Sequence, residues 1–416
     1  MLSTTHTTLD IDGSRLHVPQ GFNYSCSGCG RCCKGVAVPM TQEDYERVSA
    51  IDWSKDEATA GFDWERQFRQ LGKKENDSTT YTHAIRPTDT GHCPFLINNL
   101  CHIHAKYGEH VKPLICGLFP YSFNRTPSGV YLTVSFRSNA VLANTGTPLA
   151  EQPDTLAEKL RVYETLYNAR STIWDQCKLT VDKPIIWDDY LKLEERLIGA
   201  IVKPDAKIKQ IFEDCIAILF AELGRPLPAS NNGDFFAKAG AMPIKGADKK
   251  FLSQLYELYY PSDPRMVNRD VIFNGISFAL GLAFKGPKFR YINKSYSFET
   301  LMAVPWPEDR EINDLLVRFL YSRVFGKWYF GGGFAQLSVI SGFHHLLLSF
   351  ILIRLHATAS ALYRGEPKAS MLDVMTSVRQ IEEKISVAEL DGYSAALWEL
   401  MLFSPGRMAR LLQKAF

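Results

Sequence analysis

The sequence predicts an α+β fold in two parts: a small, loop-rich cysteine-cluster domain over residues 1–147 and a predominantly helical domain over residues 148–416. Two observations carry this expectation. Seven of the nine cysteines lie at or before Cys116, in a region that reads as short strands and loops. From about Pro148 onward, apolar residues recur at three- and four-residue spacing, the period of a helix with one buried face.

The elements follow in chain order. Residues 8–19 read as a hairpin with Asp12-Gly13 at its turn. Thr41 reads as a helix N-cap, with Asp44 three residues on completing a capping-box-like start. The segment Tyr131–Phe136 alternates as a strand does. The helical half predicts helices over 155–173, 187–201, 207–223, 248–259, 311–324, 336–362, 371–385 and 395–415. The Pro, Gly, Asn and Ser of Gly224–Gly246 predict a surface loop. No tandem repeat or heptad run is present.

Composition narrows the function classes. With 46% hydrophobic and 22% charged residues, the chain is globular rather than disordered or collagen-like. Lys+Arg number 47 against 45 Asp+Glu, a net charge of +2, which argues against a nucleic-acid partner held through phosphates. The N-terminus shows no secretory pattern, so a cytoplasmic location is the expectation. The longest apolar block, Leu346–Ile353, is bounded by His344, His345 and Arg354. It is shorter than the ~20 apolar residues of a membrane span, and predicts a buried helix and no transmembrane segment.

The cysteines carry the chemistry. Cys26, Cys29, Cys32 and Cys33 form C-x2-C-x2-C-C. A two-residue gap lets two thiolates turn onto one ion, and Gly28 and Gly30 suit a tight loop. Thiolates are soft ligands for zinc, copper(I) or iron–sulfur clusters, and Arg31 and Lys34 stand ready to offset their charge. Because Cys32 and Cys33 are adjacent, their side chains are expected to diverge, favouring two nearby centres or one bridged centre. The second group is Cys93, Cys101 and Cys116, with His92, His102, His104 and His110 close by. An NNL turn is expected to fold Cys93 and Cys101 together, residues 105–110 to form a short helical turn, and Pro113 and Pro120 to stiffen the loop of Cys116. Among the histidines, His102 and His104 are the best placed to complete a thiolate site. Cys177 and Cys215 read as small buried hydrophobes. His344-His345 read as core residues, and Gly331-Gly332-Gly333 as a tight turn rather than an anion site.

Together, CSGCGRCC, then GHCPFL and LCHIH, then KPLICGLFP resemble the CxxCxxCC zinc- or iron-chelating cysteine-cluster family over residues 22–147. The pattern is also similar to that of the flagellin lysine-N-methylase family. The resemblance implies that Cys26, Cys29, Cys32, Cys33, Cys93, Cys101 and Cys116 are the metal ligands. It implies an iron–sulfur cluster or zinc, with iron–sulfur preferred. Members carry a further cysteine where this chain has Ser138, and an arginine where it has Gly117. Eight thiolates close two four-cysteine centres; seven do not. The methylase likeness implies a protein substrate and S-adenosylmethionine as methyl donor, although no methyltransferase nucleotide fold is visible. A third expectation is a zinc-stapled module that recruits a protein partner.

Overall fold

A computed structural model describes residues 2–34, 37–72, 80–167, 174, 177–224, 232–261, 286–385 and 392–416. The chain gathers into two compact units: residues 6–171, and residues 172–416 with 1–5. The architecture is α+β, with strands concentrated in the first unit and helices in the second.

The first unit is framed by a four-stranded sheet of order β1-β2-β10-β9. Strands β1 (His6–Ile11) and β2 (Ser14–Pro19) form the expected hairpin. Asp12 and Gly13 both have positive φ, 52° and 78°, as a two-residue hairpin turn requires. Strand β2 then runs parallel to β10 (Gly129–Val134), whose antiparallel neighbour is β9 (Tyr121–Thr126). Leu16, Val18, Leu132 and Val134 are the inward residues that bury this sheet. A two-stranded contact closes the base of the cysteine loop: β3 (Asn23–Tyr24) pairs with β11 (Thr147–Pro148).

A second, three-stranded sheet pairs β4 (Val38–Met40) and β5 (Phe68–Gln70) with the central β6 (His83–Ile85). Its core of Val38, Met40, Val48, Trp53, Ile85 and Phe95 carries Cys93, Cys101 and Cys116 on its edge. Helix α1 (Gln42–Ser49) begins with the expected capping box. The Thr41 hydroxyl accepts from the Asp44 N–H at 3.1 Å, and the Asp44 carboxylate accepts from the Thr41 N–H at 3.3 Å. The same carboxylate accepts from the Leu114 N–H at 3.2 Å. That bond ties α1 to the short helix that carries Cys116. Among the described residues, five helices follow α1 in this unit: α2 (Trp64–Gln67), α3 (His102–Tyr107), α4 (Leu114–Leu118), α5 (Asn139–Ala143) and α6 (Pro153–Tyr167).

The second unit comprises α7 (Trp187–Ile201), α8 (Ile208–Glu222), α9 (Asn232–Ala241), α10 (Gly246–Tyr259), α11 (Phe298–Ala303), α12 (Arg310–Phe325), α13 (Val339–Arg364), α14 (Met371–Ile385), α15 (Gly392–Leu402) and α16 (Pro405–Ala415). Two small hairpins, β12 (Lys178–Thr180) with β13 (Lys183–Pro184) and β14 (Phe289–Tyr291) with β15 (Lys294–Tyr296), accompany them. The apolar block around Leu346–Ile353 belongs to α13, whose 26 residues are long and apolar enough to cross a membrane by length and composition. Every residue from Val339 to Ala361 is buried within the unit.

Two expectations need correction. The segment 224–246 is not all loop, because α9 lies within it. Phe236 and Ala239, three residues apart, give it a buried edge, and Gly240 packs against Gln413 of α16. Residues 225–231 of that segment lie outside the described residues, as do 168–173 of the helix expected over 155–173. The helix expected over 395–415 is two helices, broken at Ser404, since Pro405 cannot donate to the preceding turn and instead opens α16. The β14–β15 hairpin had no periodic signal long enough to reveal it.

The buried Lys327–Glu194 ion pair of the helical unit has a large stake in stability. Lys327 is fully buried and donates to Glu194 at 2.8 Å and to the Phe325 carbonyl at 2.8 Å. The Tyr190 hydroxyl donates to the other Glu194 oxygen at 2.6 Å. Burial pulls the Lys327 ammonium down to about 8 and pushes the Glu194 carboxyl up. Lys327→Met leaves that carboxylate buried without its cation, and is expected to cost about 3–5 kcal/mol in urea unfolding. Lys327→Met with Glu194→Gln is expected to recover most of the loss, whereas equal losses in the single and double variants would contradict the pairing.

Candidate metal centre

The first cysteine cluster is a loop laid on a hairpin. Gly28 and Gly30 sit at φ 62° and 64°, the left-handed region that suits glycine. A Cβ on Gly30 would fall 2.6 Å from Leu96 Cδ1 and 2.7 Å from the Asn99 carbonyl oxygen; one on Gly28 would fall 3.1 Å from Leu100 Cδ2. The missing side chains therefore let residues 26–33 lie directly on β7 (Leu96–Ile97) and β8 (Leu100–Cys101). These strands form the expected NNL hairpin, with Asn98 and Asn99 at φ 52° and 63° in its turn. The hairpin pairs Leu96, not Cys93, opposite Cys101.

The two clusters meet through the backbone. The Cys93 N–H donates to the Cys33 carbonyl at 2.8 Å, and Lys34 bridges His92. A single 3-10 turn spans Arg31–Cys33. It brings the Cys32 and Cys33 sulfurs to 3.8 Å. The expected divergence of these neighbours is thus not what the chain adopts, because it turns here instead of running as a strand or an α-helix.

Electrostatics report which thiols share a neighbourhood. A hydrogen bond from Cys33 favours the Cys32 thiolate, against the penalty of burial, and the cations of Lys112 and Arg137 add to the effect. The Cys33 thiol is pushed up by that same bond, by burial and by Cys32, Cys93 and Cys116. Burial raises the Cys93 thiol to about 12, with Cys101 and Cys32 reinforcing the shift. Burial likewise raises the Cys116 thiol, again with Cys93, Cys101 and Cys32 contributing. Five of the seven thiols, drawn from both clusters, therefore act on one another.

The other two lie at the loop's entry. The Asn139 amide donates to the Cys29 sulfur at 3.4 Å. Cys26 lies against the phenol of Tyr24, which is raised well above its ordinary range by burial and then by Cys26, with Cys32 also contributing. Among the described residues, no three His, Cys, Asp or Glu side chains are already closed around a single point. The donor set nevertheless has the chemistry of a soft-metal site: sulfur donors from two segments, with cations nearby.

Sequence reasoning missed several of these neighbours. Lys112 and Arg137 are the cations acting on Cys32, whereas the expectation was Arg31 and Lys34. Tyr24, two residues before Cys26, and Lys112, four before Cys116, could have been found; nothing local singles out Arg137 or Asn139. Ser138, the position expected to differ from the family, is 9% exposed and N-caps α5 between Arg137 and Asn139. It therefore lies in the segment that faces the thiols. His102 is engaged with Asp56, Nε2 to Oδ2 2.6 Å, while His104 is exposed.

The remaining candidates are structural. Cys177 and Cys215 are buried, with their thiols on the Trp174 and Leu197 carbonyls. His344 Nδ1 donates to the Leu402 carbonyl at 2.9 Å, and His345 pairs with the Tyr259 hydroxyl at 2.6 Å. Gly331–Gly333 form a 3-10 turn closed by the Gly331 N–H on Leu337. The start of α13 is already occupied by the Glu399 carboxylate, which accepts from the Ser338 hydroxyl at 2.9 Å.

Comparison with known proteins agrees with the cysteine pattern. Residues 25–137 match the profile of the CxxCxxCC family, described as "Putative zinc- or iron-chelating domain". The chain is also 26% identical over 105 residues to an uncharacterized protein of Methanocaldococcus jannaschii, MJ0939. That alignment covers 25% of this chain and 31% of the relative's length. No solved structure matches. The segment holding both cysteine clusters, residues 25–137 and less than half of the chain, is therefore what resembles the CxxCxxCC family.

Proposed function

We propose that the first unit binds an iron–sulfur cluster through thiolates drawn from Cys26, Cys29, Cys32, Cys33, Cys93, Cys101 and Cys116. The observation that carries this reading is the joining of two clusters about sixty residues apart: the Cys93 N–H donates to the Cys33 carbonyl at 2.8 Å, and the Cys32 and Cys33 sulfurs lie 3.8 Å apart, beside Lys112 and Arg137. Seven thiols exceed the four that one tetrahedral ion accepts. The two cations suit a centre whose sulfurs carry several negative charges. A bound cluster supplies one-electron chemistry. This chain's residues do the rest: the glycine-cradled loop and the hairpin present the sulfurs, and the core beneath Cys93, Cys101 and Cys116 keeps water from that side.

One observation favours a second reading, a single zinc ion. The 3.8 Å between the Cys32 and Cys33 sulfurs equals the edge of a tetrahedron whose metal–sulfur bonds are about 2.3 Å. Metal content decides between the two. The full chain, purified without oxygen, is expected to carry iron and acid-labile sulfide with a visible charge-transfer spectrum. Zinc without sulfide would establish the second reading. If neither metal copurifies or binds on reconstitution, and Cys26→Ser with Cys29→Ser changes nothing, both readings fail.

A further inference from the structure

Beyond the thiols, the Asn139 side chain reaches a candidate ligand directly. Asn139 donates its amide N–H to the Cys29 sulfur at 3.4 Å, a distance normal for a bond to sulfur. The contact is built rather than incidental, because the helix that presents Asn139 is tied to the loop entry at its C-terminal end. At its start Ser138 is the N-cap, and its carbonyl accepts from the Leu142 N–H at 3.0 Å. At its end Asn144 adopts φ 52° and reaches back to the strand that leads into the cysteine loop. The Asn144 Oδ1 accepts from the Asn23 N–H at 2.9 Å, and its Nδ2 donates to the Gly21 carbonyl at 3.1 Å. Just beyond, the Thr147 N–H donates to the Ser25 hydroxyl at 3.2 Å. The helix and the loop entry are therefore registered against each other by side-chain bonds on the C-terminal side of Asn139.

We propose that Asn139 is a positioning residue of the metal centre: its amide fixes the direction of the Cys29 sulfur, so that Cys29 is held ready to ligate. The inference rests on the thiolate reading above. Its chemistry is specific to the charged form. An amide N–H bonded to a thiolate spreads negative charge and fixes the sulfur's direction, as outer partners of metal ligands do. A carboxylate at the same place would do the reverse, since it has the same shape but accepts instead of donating, and it repels a thiolate.

The test uses the full chain with zinc(II) as probe, because zinc reports thiolate affinity without redox chemistry. Competition against a chromogenic chelator gives the affinity, and metal per chain gives the stoichiometry. Thermal melting of the metal-free protein reads any structural role. Asn139→Ala is expected to weaken zinc binding about 10–100-fold, with unchanged metal per chain and unchanged metal-free melting. Asn139→Asp, close to isosteric, is expected to weaken it further. If wild type binds zinc and both variants stay within about twofold of it, the role of Asn139 is overturned. The same holds if the loss of affinity is matched by a loss of metal-free melting stability, since Asn139 then supports the fold and not the sulfur. If wild type itself binds neither zinc nor iron, the failure lies with the thiolate reading.

Discussion

Between pH 7 and pH 5 the helical unit is expected to lose about 6 kcal/mol of folding stability through three histidines on one helix. His344, His345 and His356 are all buried in α13, 2%, 1% and 6% exposed. Burial disfavours their charged forms and pulls them from the ordinary 6.5 down to about 4, 3 and 3. Each is bonded as a neutral ring: to the Leu402 carbonyl, the Tyr259 hydroxyl and the Ser377 hydroxyl. The sign follows from proton counting. Below pH 6.5 the unfolded chain takes up these protons and the folded chain does not, so stability is complete above 6.5 and falls as the medium is acidified. At pH 5 the difference is about 2 kcal/mol per ring, and typical domains hold only about 5–15 kcal/mol in all. Urea unfolding followed by Trp398 fluorescence checks this, since that indole lies 5.1 Å from the His345 ring. His345→Gln with His356→Gln should flatten the slope. A wild-type stability that is constant from pH 7 to pH 5 would show that the rings are not held neutral.

Gly30→Ala is expected to abolish stable metal retention although it removes no cysteine. The methyl group would arrive 2.7 Å from the Asn99 carbonyl oxygen, which is backbone in a tight turn and has no room to withdraw. The left-handed φ of 64° adds about 1–2 kcal/mol of strain for an alanine. The least costly response is to lift residues 26–33 off the hairpin, separating the first cluster from Cys93 and Cys101. Zinc affinity is expected to fall at least about 100-fold, at the upper end of what a disturbed outer partner costs. Gly13→Ala is the control: its φ of 78° is similar, but nothing lies within 4 Å of the added carbon. It should strain the first hairpin and leave metal per chain unchanged. Equal retention by the two variants would mean that the loop does not need the hairpin.

These cases also show what the amino-acid order reveals. Local chemistry was readable: the Thr41 capping box, the Asp12-Gly13 turn and the NNL hairpin each depend on residues a few positions apart, and each is present. The seven thiols were readable by type and spacing. Their surroundings were not, because Arg137 and Asn139 reach the cysteines only through β3–β11 pairing and the placement of α5. The adjacency of Cys32 and Cys33 misled because strand and helix periodicities do not describe a single 3-10 turn. In the helical half, strong periodicity located α7, α8, α12 and α14 to within a residue or two of their ends. The glycine- and asparagine-rich α9 was hidden because its buried edge is only two residues wide.

The pairing of β2 with β10, and of β3 with β11, has a bearing on biosynthesis. The first four cysteines leave the ribosome long before the residues that brace them, since Tyr24 pairs with Thr147 and Asn23 is held by Asn144. A nascent chain halted short of residue 148 has its early thiols exposed and unbraced. If the thiols take up metal as proposed, loading that needs this brace waits for residues 147–148 and is late co-translational or post-translational. The interval before it is when those sulfurs are most open to oxidants, or to a delivery factor that would shield them.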